Sequence, residues 1–295
     1  MIYTLTMNPA IDYVVTVPDL LKGRVNRGES RGFSAAGKGL NVSLALKRLG
    51  VESYALCTCG EIEREKGNLT ETFLQLLQSS GIRSGLFNIK GSDTRINVKV
   101  HSGGEVTEIN GDFYVPEEDS ADIAETIIRM VKKGDFFIIG GSLPNGIPCD
   151  FYANLTENLA EKGAKVFVDT SGEPLRRVIQ TGKAFLVKPN RHELAELFGL
   201  NSEAISTPED AVTYGAKLGC NALVSLGEAG AVFVNGNDGE EYVYAAENKI
   251  KNAYTVGAGD ALLAGFVETF IKTTDYETSL KSAVKFAESS LVLKS

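Results

Sequence analysis

Four short apolar runs, Phe136-Phe137-Ile138-Ile139, Val166-Phe167-Val168, Phe185-Leu186-Val187 and Ala222-Leu223-Val224, recur along the chain with helix-period segments between them. A strand buried on both faces needs continuous apolar character, so these runs predict a parallel sheet joined by crossover helices. The helices predicted in the gaps include Leu40 to Leu49, stopped by Gly50, then Glu117 to Val131, and Phe151 to Glu161, stopped by Gly163. Met1 to Thr6 reads as the first strand, and Tyr54-Ala55-Leu56-Cys57 as a further buried one. Sheets of this kind bind ligands beyond the carboxyl ends of their strands, so the residues just after the apolar runs are the ones to read for chemistry.

Two stretches change period. Tyr13 to Val17 with Arg24 to Phe33, and Thr94 to His101 with Glu105 to Asn110, alternate polar and apolar positions, and Ser102-Gly103-Gly104 joins the second pair. They are predicted as antiparallel hairpin strands of a small sheet, a lid formed by segments at about 12–35 and 92–111 within one α/β domain spanning 1–295. Tyr13, Val15, Val17, Ile96 and Val98 would give that sheet an apolar face, which pairing with a second copy into a homodimer would cover.

Composition narrows the class. Of 295 residues, 43% are hydrophobic and 23% charged, close to the globular average. No apolar stretch approaches the roughly 20 residues of a membrane-spanning helix. The first residues lack a basic region followed by an apolar one, so no signal peptide is expected and the chain is placed in the cytoplasm. A net charge of −8 argues against nucleic-acid binding and means that any cations serving an anionic ligand are local. Cys57 and Cys59 fall in an apolar run, far from Cys149 and Cys220, and read as reduced core thiols. Two histidines, His101 and His192, are too few for a His-rich metal site and make a Ser-His-Asp hydrolase a poor fit.

The strongest local signal is Thr255-Val256-Gly257-Ala258-Gly259-Asp260, followed by the helix-period run Ala261 to Phe266. Glycines opening a helix let backbone N–H groups converge on an anion, and the helix dipole adds to the attraction. Asp260 in that place is either a helix N-cap or a general base beside an anion cradle. A dinucleotide fingerprint fails, because Leu262 stands where its third glycine belongs and only 35 of the 295 residues follow Asp260. A P-loop fails at Gly32 to Gly39, where Gly39 replaces the Ser/Thr that would hold magnesium and Asn26 to Arg31 is no buried strand.

Asn8-Pro9-Ala10-Ile11-Asp12, Ala35-Ala36-Gly37-Lys38-Gly39-Leu40-Asn41-Val42, Asp93-Thr94-Arg95-Ile96-Asn97-Val98-Lys99, Gly141-Ser142-Leu143-Pro144, Asp169-Thr170-Ser171-Gly172, Lys188-Pro189-Asn190-Arg191-His192-Glu193, Ser225-Leu226-Gly227 and Gly257-Ala258-Gly259-Asp260 follow one another in the order and spacing of the pfkB (ribokinase-like) sugar kinases. The chain resembles that family over nearly its whole length, most closely its 1-phosphofructokinase branch. The resemblance implies a three-layer α/β fold with a mainly parallel sheet flanked by helices and a small β-sheet lid. It also implies ATP and Mg2+ as the requirements of a kinase acting on the 6-hydroxyl of fructose 1-phosphate. Tagatose 6-phosphate and fructose 6-phosphate are the neighbouring substrates, and a non-catalytic sugar-phosphate or nucleotide sensor is the alternative of another class.

By the same resemblance Asp260 is the base and Gly257, Ala258 and Gly259 surround the moving phosphoryl group. Asp12 and Asn41 grip sugar hydroxyls, with Gly37 and Ser142 in the same substrate-binding set. Arg27, Lys38 and Arg95 are the cations for the phosphate already on the sugar. Lys188, Asn190, Ser225, Gly227, Gly230, Gly257 and Gly259 fall where the family binds ATP. Asn190 and Glu193 match an Asn-x-x-Glu motif that organises magnesium through water. The sequence departs from the family pattern at Ala36, at Ala261 and over Glu61 to Gly67. The last helix is expected to end near Ser295, short of its relatives, with Ala283, Val284 and Ala287 lining an open base pocket.

Overall fold

A computed structural model describes residues 1–62, 68–201, 203–247 and 257–292. Thr255 and Val256 of the glycine motif, and most of the departure over Glu61 to Gly67, lie outside the described residues. Among those described, nine strands form the main sheet in the order β13 (Glu241–Tyr244), β12 (Ala231–Val234), β11 (Asn221–Ser225), β10 (Leu186–Val187), β9 (Lys165–Asp169), β8 (Phe136–Gly140), β1 (Ile2–Thr6), β4 (Tyr54–Cys59) and β5 (Arg83–Asn88). From β11 to β5 every pair is parallel, as the continuous apolar runs predict. The antiparallel edge of β12 and β13 is an addition to that expectation. Ser225 and Ala231 are joined by a single tight turn that ends at Gly230 with φ 98°, which leaves no room for the helix a parallel crossover requires.

Helices cover both faces. On one side α3 (Glu117–Met130), α4 (Phe151–Glu161), α5 (Gly172–Thr181), α6 (Arg191–Leu197) and α7 (Pro208–Ala216) bury Leu5, Phe137, Ile139, Val166 and Val168. On the other, α1 (Lys38–Arg48), α2 (Leu69–Ser80), α8 (Ala258–Thr273) and α9 (Tyr276–Val292) bury Ile2, Ile138, Phe167, Leu223 and the Cys57 and Cys59 thiols. Cys57, Cys59 and Cys220 are buried, Cys149 is exposed, and all four are free. None of these helices is long and apolar enough to cross a membrane.

The second sheet has the order β3 (Glu29–Ala36), β2 (Ala10–Thr16), β6 (Arg95–Ser102), β7 (Glu105–Asn110). Its β3 starts at Glu29, five residues later than Arg24, because Asn26 ties the preceding segment into a loop: its Oδ1 accepts from Leu21 N (2.9 Å) and its Nδ2 donates to Leu21 O (3.0 Å). The two outer pairs are antiparallel, but β2 and β6 run parallel to each other. Register places Tyr13, Phe33, Val98 and Ile109 in one row, with Tyr13 stacked on Phe33 at 4.7 Å between ring centroids. In that row Phe33 is 54% and Ile109 62% exposed, so the expected apolar face exists and is partly open to solvent. The opposite face carries Asp12, Asn97 and Lys99.

Helices α8 and α9 close the core beside β12, where Phe233 stacks on Tyr276 at 4.5 Å. Ala283 is fully buried against Gly265, so of the three residues expected to line a base pocket it belongs to this helix crossing instead. A Cβ on Gly265 would meet Ala283 Cα at 2.9 Å. Gly265→Val should therefore lower the unfolding free energy by about 1–3 kcal/mol, the usual cost of overpacking, read as a shifted denaturant midpoint. An unchanged midpoint would show that the crossing can open without cost.

Candidate active site

Chain order reverses between β1 and β8: from β1 it runs outward to β4 and β5, and from β8 the other way through β9, β10 and β11. Such a reversal leaves a crevice beyond the strand ends, and a cleft of about 710 Å³ lies there between the main sheet and the polar face of the small one. Helix α1 starts directly over it. A Cβ on Gly39 would lie 2.4 Å from Leu5 O, and one on Gly140 would lie 2.5 Å from Gly39 N. Glycine at both positions lets the opening of α1 settle onto the ends of β1 and β8.

Asp169, the last residue of β9, is buried and faces two lysines. Lys38 Nζ stands 2.9 Å from Oδ1, and Lys188 Nζ 3.0 Å from Oδ2. Burial pushes the Asp169 carboxyl up, but the two ammonium groups together hold it below its ordinary value. Burial likewise pushes Lys38 down, yet Asp169 and then Glu193, 4.0 Å away, hold its ammonium above the usual lysine range. Sequence reasoning quoted Asp169 within a motif and gave it no role; its signal was position, a carboxylate closing an otherwise apolar strand.

Gly257 caps α8 with φ 83°, a left-handed conformation that suits glycine, and no side chain caps the helix. Asp260, 7% exposed, lies in the first turn. Asn41 Nδ2 donates to its Oδ2 at 2.8 Å. Burial, reinforced by Asp169, pushes the Asp260 carboxyl up to about 6, against the Asn41 hydrogen bond and the two lysines. A Cβ on Gly259 would come within 3.3 Å of Lys188 Nζ, so that ammonium stands over the opening of α8.

Asp12, Gly37, Lys38, Asn41, Arg95 and Ser142 all line the cleft; Arg27 is exposed on the loop before β3 and lies outside the lining. Ser142 Oγ accepts from Asn8 Nδ2 at 3.1 Å. Arg95 donates to three backbone carbonyls, Asn8 (3.0 Å), Gly111 (3.1 Å) and Pro9 (3.2 Å), which fixes its plane without neutralising its charge. Asp12 is held from two sides, by Lys99 Nζ at 2.6 Å and Asn97 Nδ2 at 3.1 Å. Asn97 and Lys99 had gone unassigned, although the alternation of β6 puts them on the same face as Arg95.

On the other side of the cleft Asn190 caps α6, its Oδ1 accepting from His192 N and Glu193 N, while Glu193 Oε2 accepts from Asn190 N at 2.8 Å. Ser225, Gly227, Gly230, Ala246, Val284, Ala287 and Leu291 also line the cleft, as do the charged Arg191, Glu228 and Glu288. A Cβ on Gly230 would overlap Tyr244 O at 2.1 Å, so only glycine fits that turn. No group of three or more His, Cys, Asp or Glu able to cage a metal occurs among the described residues.

A family model described as pfkB family carbohydrate kinase matches residues 1–293. The chain is 38% identical over 290 residues to the 1-phosphofructokinase of Bacillus subtilis (strain 168), covering 96% of this chain and 90% of that one. It is 33% identical over 273 residues to the D-tagatose-1-phosphate kinase of Bacillus licheniformis, covering 90% and 84%. The tetrameric inhibited form of phosphofructokinase-2 from Escherichia coli superposes with a TM-score of 0.86 at 25% identity, over 100% of this chain and 95% of that chain.

Removing the anion between Lys38 and Lys188 leaves the buried Lys188 ammonium without its carboxylate and Lys38 with only Glu193, 4.0 Å away. Asp169→Ala should cost about 3–5 kcal/mol in chemical denaturation. A loss below about 1 kcal/mol, the worth of an exposed pair, would show that water already screens the cluster.

Proposed function

The chain belongs to the pfkB family of carbohydrate kinases, and from that premise we propose that it transfers the terminal phosphoryl group of ATP to the 6-hydroxyl of fructose 1-phosphate, yielding fructose 1,6-bisphosphate and ADP in the cytoplasm. The observation that carries the reading is Asp260: a buried carboxylate in the first turn of α8, oriented by Asn41, beside two lysines bridged by Asp169. Asn41 occupies Oδ2, which leaves Oδ1 to accept the hydroxyl proton. The freed oxygen attacks the terminal phosphorus as the bond to the ADP oxygen breaks, and the proton leaves Asp260 afterwards. The N–H groups that open α8 and the Lys188 and Lys38 ammoniums face the charge spread over the transferring group.

Magnesium fits the donor set as a partly hydrated ion. Asn190 Oδ1 is committed to the helix cap, whereas Glu193 Oε1 remains turned toward Lys38 and the cleft, where it would hold the ion's water shell. When bound, the ion would neutralise phosphate oxygens. Val284, Ala287 and Leu291 are proposed to receive the base, and Ser225, Gly227 and Gly230 the ribose and the turn beside it.

Substrate choice is assigned to the small sheet. Arg95, with its remaining N–H groups and its hydrogen bonds so far made only to carbonyls, is the cation for the phosphate already on the sugar, and Asp12 and Asn41 read hydroxyls. A second reading, tagatose 1-phosphate, is favoured by the relative named for that substrate. We further propose that the small sheet acts as a lid and pairs with a second copy through the row of Tyr13, Phe33, Val98 and Ile109. A dimer at micromolar concentration that Ile109→Lys converts to a monomer in sedimentation supports that contact; a wild-type monomer removes it.

Three measurements test the reaction. Specificity constants should rank fructose 1-phosphate above fructose 6-phosphate, tagatose 6-phosphate and free fructose; a larger value for either 6-phosphate sinks the substrate and leaves the kinase. Asp260→Asn should fold and bind substrates but lose turnover by roughly 10² to 10⁴. Because the base works only when ionised, kcat/KM should fall as pH drops through about 6. Asn41→Ala removes a hydrogen bond that favours the ionised form, so its acid limb should move to higher pH. A limb unmoved in that variant would assign the titration to another group.

A further inference from the structure

One polar row of the small sheet faces the cleft with its hydrogen bonds incomplete. Asn97 Nδ2 donates to Asp12 Oδ1 at 3.1 Å, but Asn97 Oδ1 is buried without a hydrogen-bond partner. The alternative flip would set Oδ1 against the carboxylate, so the amide's orientation is fixed by chemistry, with its acceptor free. A buried acceptor lacking a donor is an expensive state unless a ligand supplies one. Lys99, also buried, reaches Asp12 Oδ2 at 2.6 Å and Glu108 Oε1 at 3.8 Å.

Resting on the sugar-phosphate kinase reading, we infer that Asn97 is a further substrate-binding residue, its Oδ1 accepting a sugar hydroxyl beside the one taken by Asp12, and that Lys99 positions Asp12 for this. Register pairs Asp12 directly with Asn97 across β2 and β6, so their acceptors project side by side from one face of the sheet. Lys99 and Asn97 each hold one oxygen of Asp12, which keeps the carboxylate oriented before substrate arrives. Lys99 is not a phosphate ligand on this geometry. Two carboxylates lie within 4 Å of its single charge, whereas Arg95 donates to backbone carbonyls and feels Asp12 and Asp112 only at longer range, which leaves its guanidinium open to an anion. The subsite thus divides into hydroxyl readers supported by Lys99 and a phosphate reader, Arg95.

The division is tested with wild type, Asn97→Ala and Lys99→Met on the phosphosugar, its monodeoxy analogues and the free sugar, with thermal unfolding followed in parallel. Asn97→Ala should raise the phosphosugar KM roughly 10-fold, the worth of one hydrogen bond, and leave the ATP KM unchanged. One monodeoxy analogue, poor with wild type, should lose its disadvantage in this variant, a change no general loosening of the sheet would produce. Lys99→Met should raise KM for phosphosugar and free sugar by the same factor, whereas Arg95→Ala narrows the gap between them. Full retention of every deoxy penalty in Asn97→Ala overturns the inference, as does a Lys99→Met that narrows the gap in the way Arg95→Ala does. If Lys99→Met does not fold, with its two carboxylates left unbalanced, the Asn97→Ala series decides. If wild type turns over no sugar phosphate, the kinase reading fails by itself, and calorimetric binding of the same sugars to wild type and Asn97→Ala still settles the role of Asn97.

Discussion

A carboxylate shut away from water at the end of a central strand needs a cation, and Asp169 has two. Lys38 comes from the opening of α1 and Lys188 from the segment after β10, so the pair of contacts ties the first third of the chain to its middle. Two ammonium groups thus meet at one carboxylate beside the opening of α8, with Glu193 4.0 Å from Lys38. The same cluster acts on Asp260 in two directions, since Asp169 disfavours its ionisation and both lysines favour it. Burial decides the balance and leaves a carboxylate poised near 6, basic enough to take a hydroxyl proton and still ionised at neutral pH.

Pleating gives the small sheet two faces of opposite character. With a side-chain period of two, one face presents Tyr13, Phe33, Val98 and Ile109, and the other presents Asp12, Asn97 and Lys99 to the cleft. A slip of one residue between β2 and β6 would exchange the faces, placing a buried ion pair outside and aromatic rings in the polar cleft. Pairing of Asp12 with Lys99 across neighbouring strands makes such a slip costly, so the contact that orients the carboxylate also specifies the register.

The main sheet was legible because strands covered on both faces are written as unbroken apolar runs: those of Phe136, Val166 and Ala222 all became parallel strands, and Phe151 to Glu161 is a helix with the predicted bounds. The edge of β12 and β13 was not read, since an antiparallel return depends on one tight turn at Gly227 to Gly230 and leaves no helix-period segment behind it. The start of β3 was missed for a related reason: the Asn26 side chain competes with strand pairing for the backbone of Leu21 and Arg24, which alternation alone does not reveal. In the cleft, glycine motifs and Asp260 stood out through spacing. The partnerships of Asp169 and of Lys99 did not, because each joins residues remote in sequence whose meeting depends on which strands are neighbours.

Arg95 shows why residue type alone does not assign a charge to a ligand. Five lysines and arginines line the cleft, Lys38, Arg95, Lys99, Lys188 and Arg191, and by composition any of them could hold a phosphate. Lys99 is opposed by two carboxylates, and Lys38 and Lys188 share Asp169, with Glu193 also 4.0 Å from Lys38. Arg95 is held by carbonyls, which orient a guanidinium without cancelling it. Under the proposed function the lysine pair meets the nucleotide's phosphates and Arg95 the phosphate already on the sugar, with the acceptors Asp12, Asn97 and Asp260 left for hydroxyls. A substrate with an anion at one end and a reacting hydroxyl at the other therefore satisfies the cleft in one orientation, since reversing it would bring its phosphate to the Asp260 carboxylate and leave Arg95 facing a neutral group.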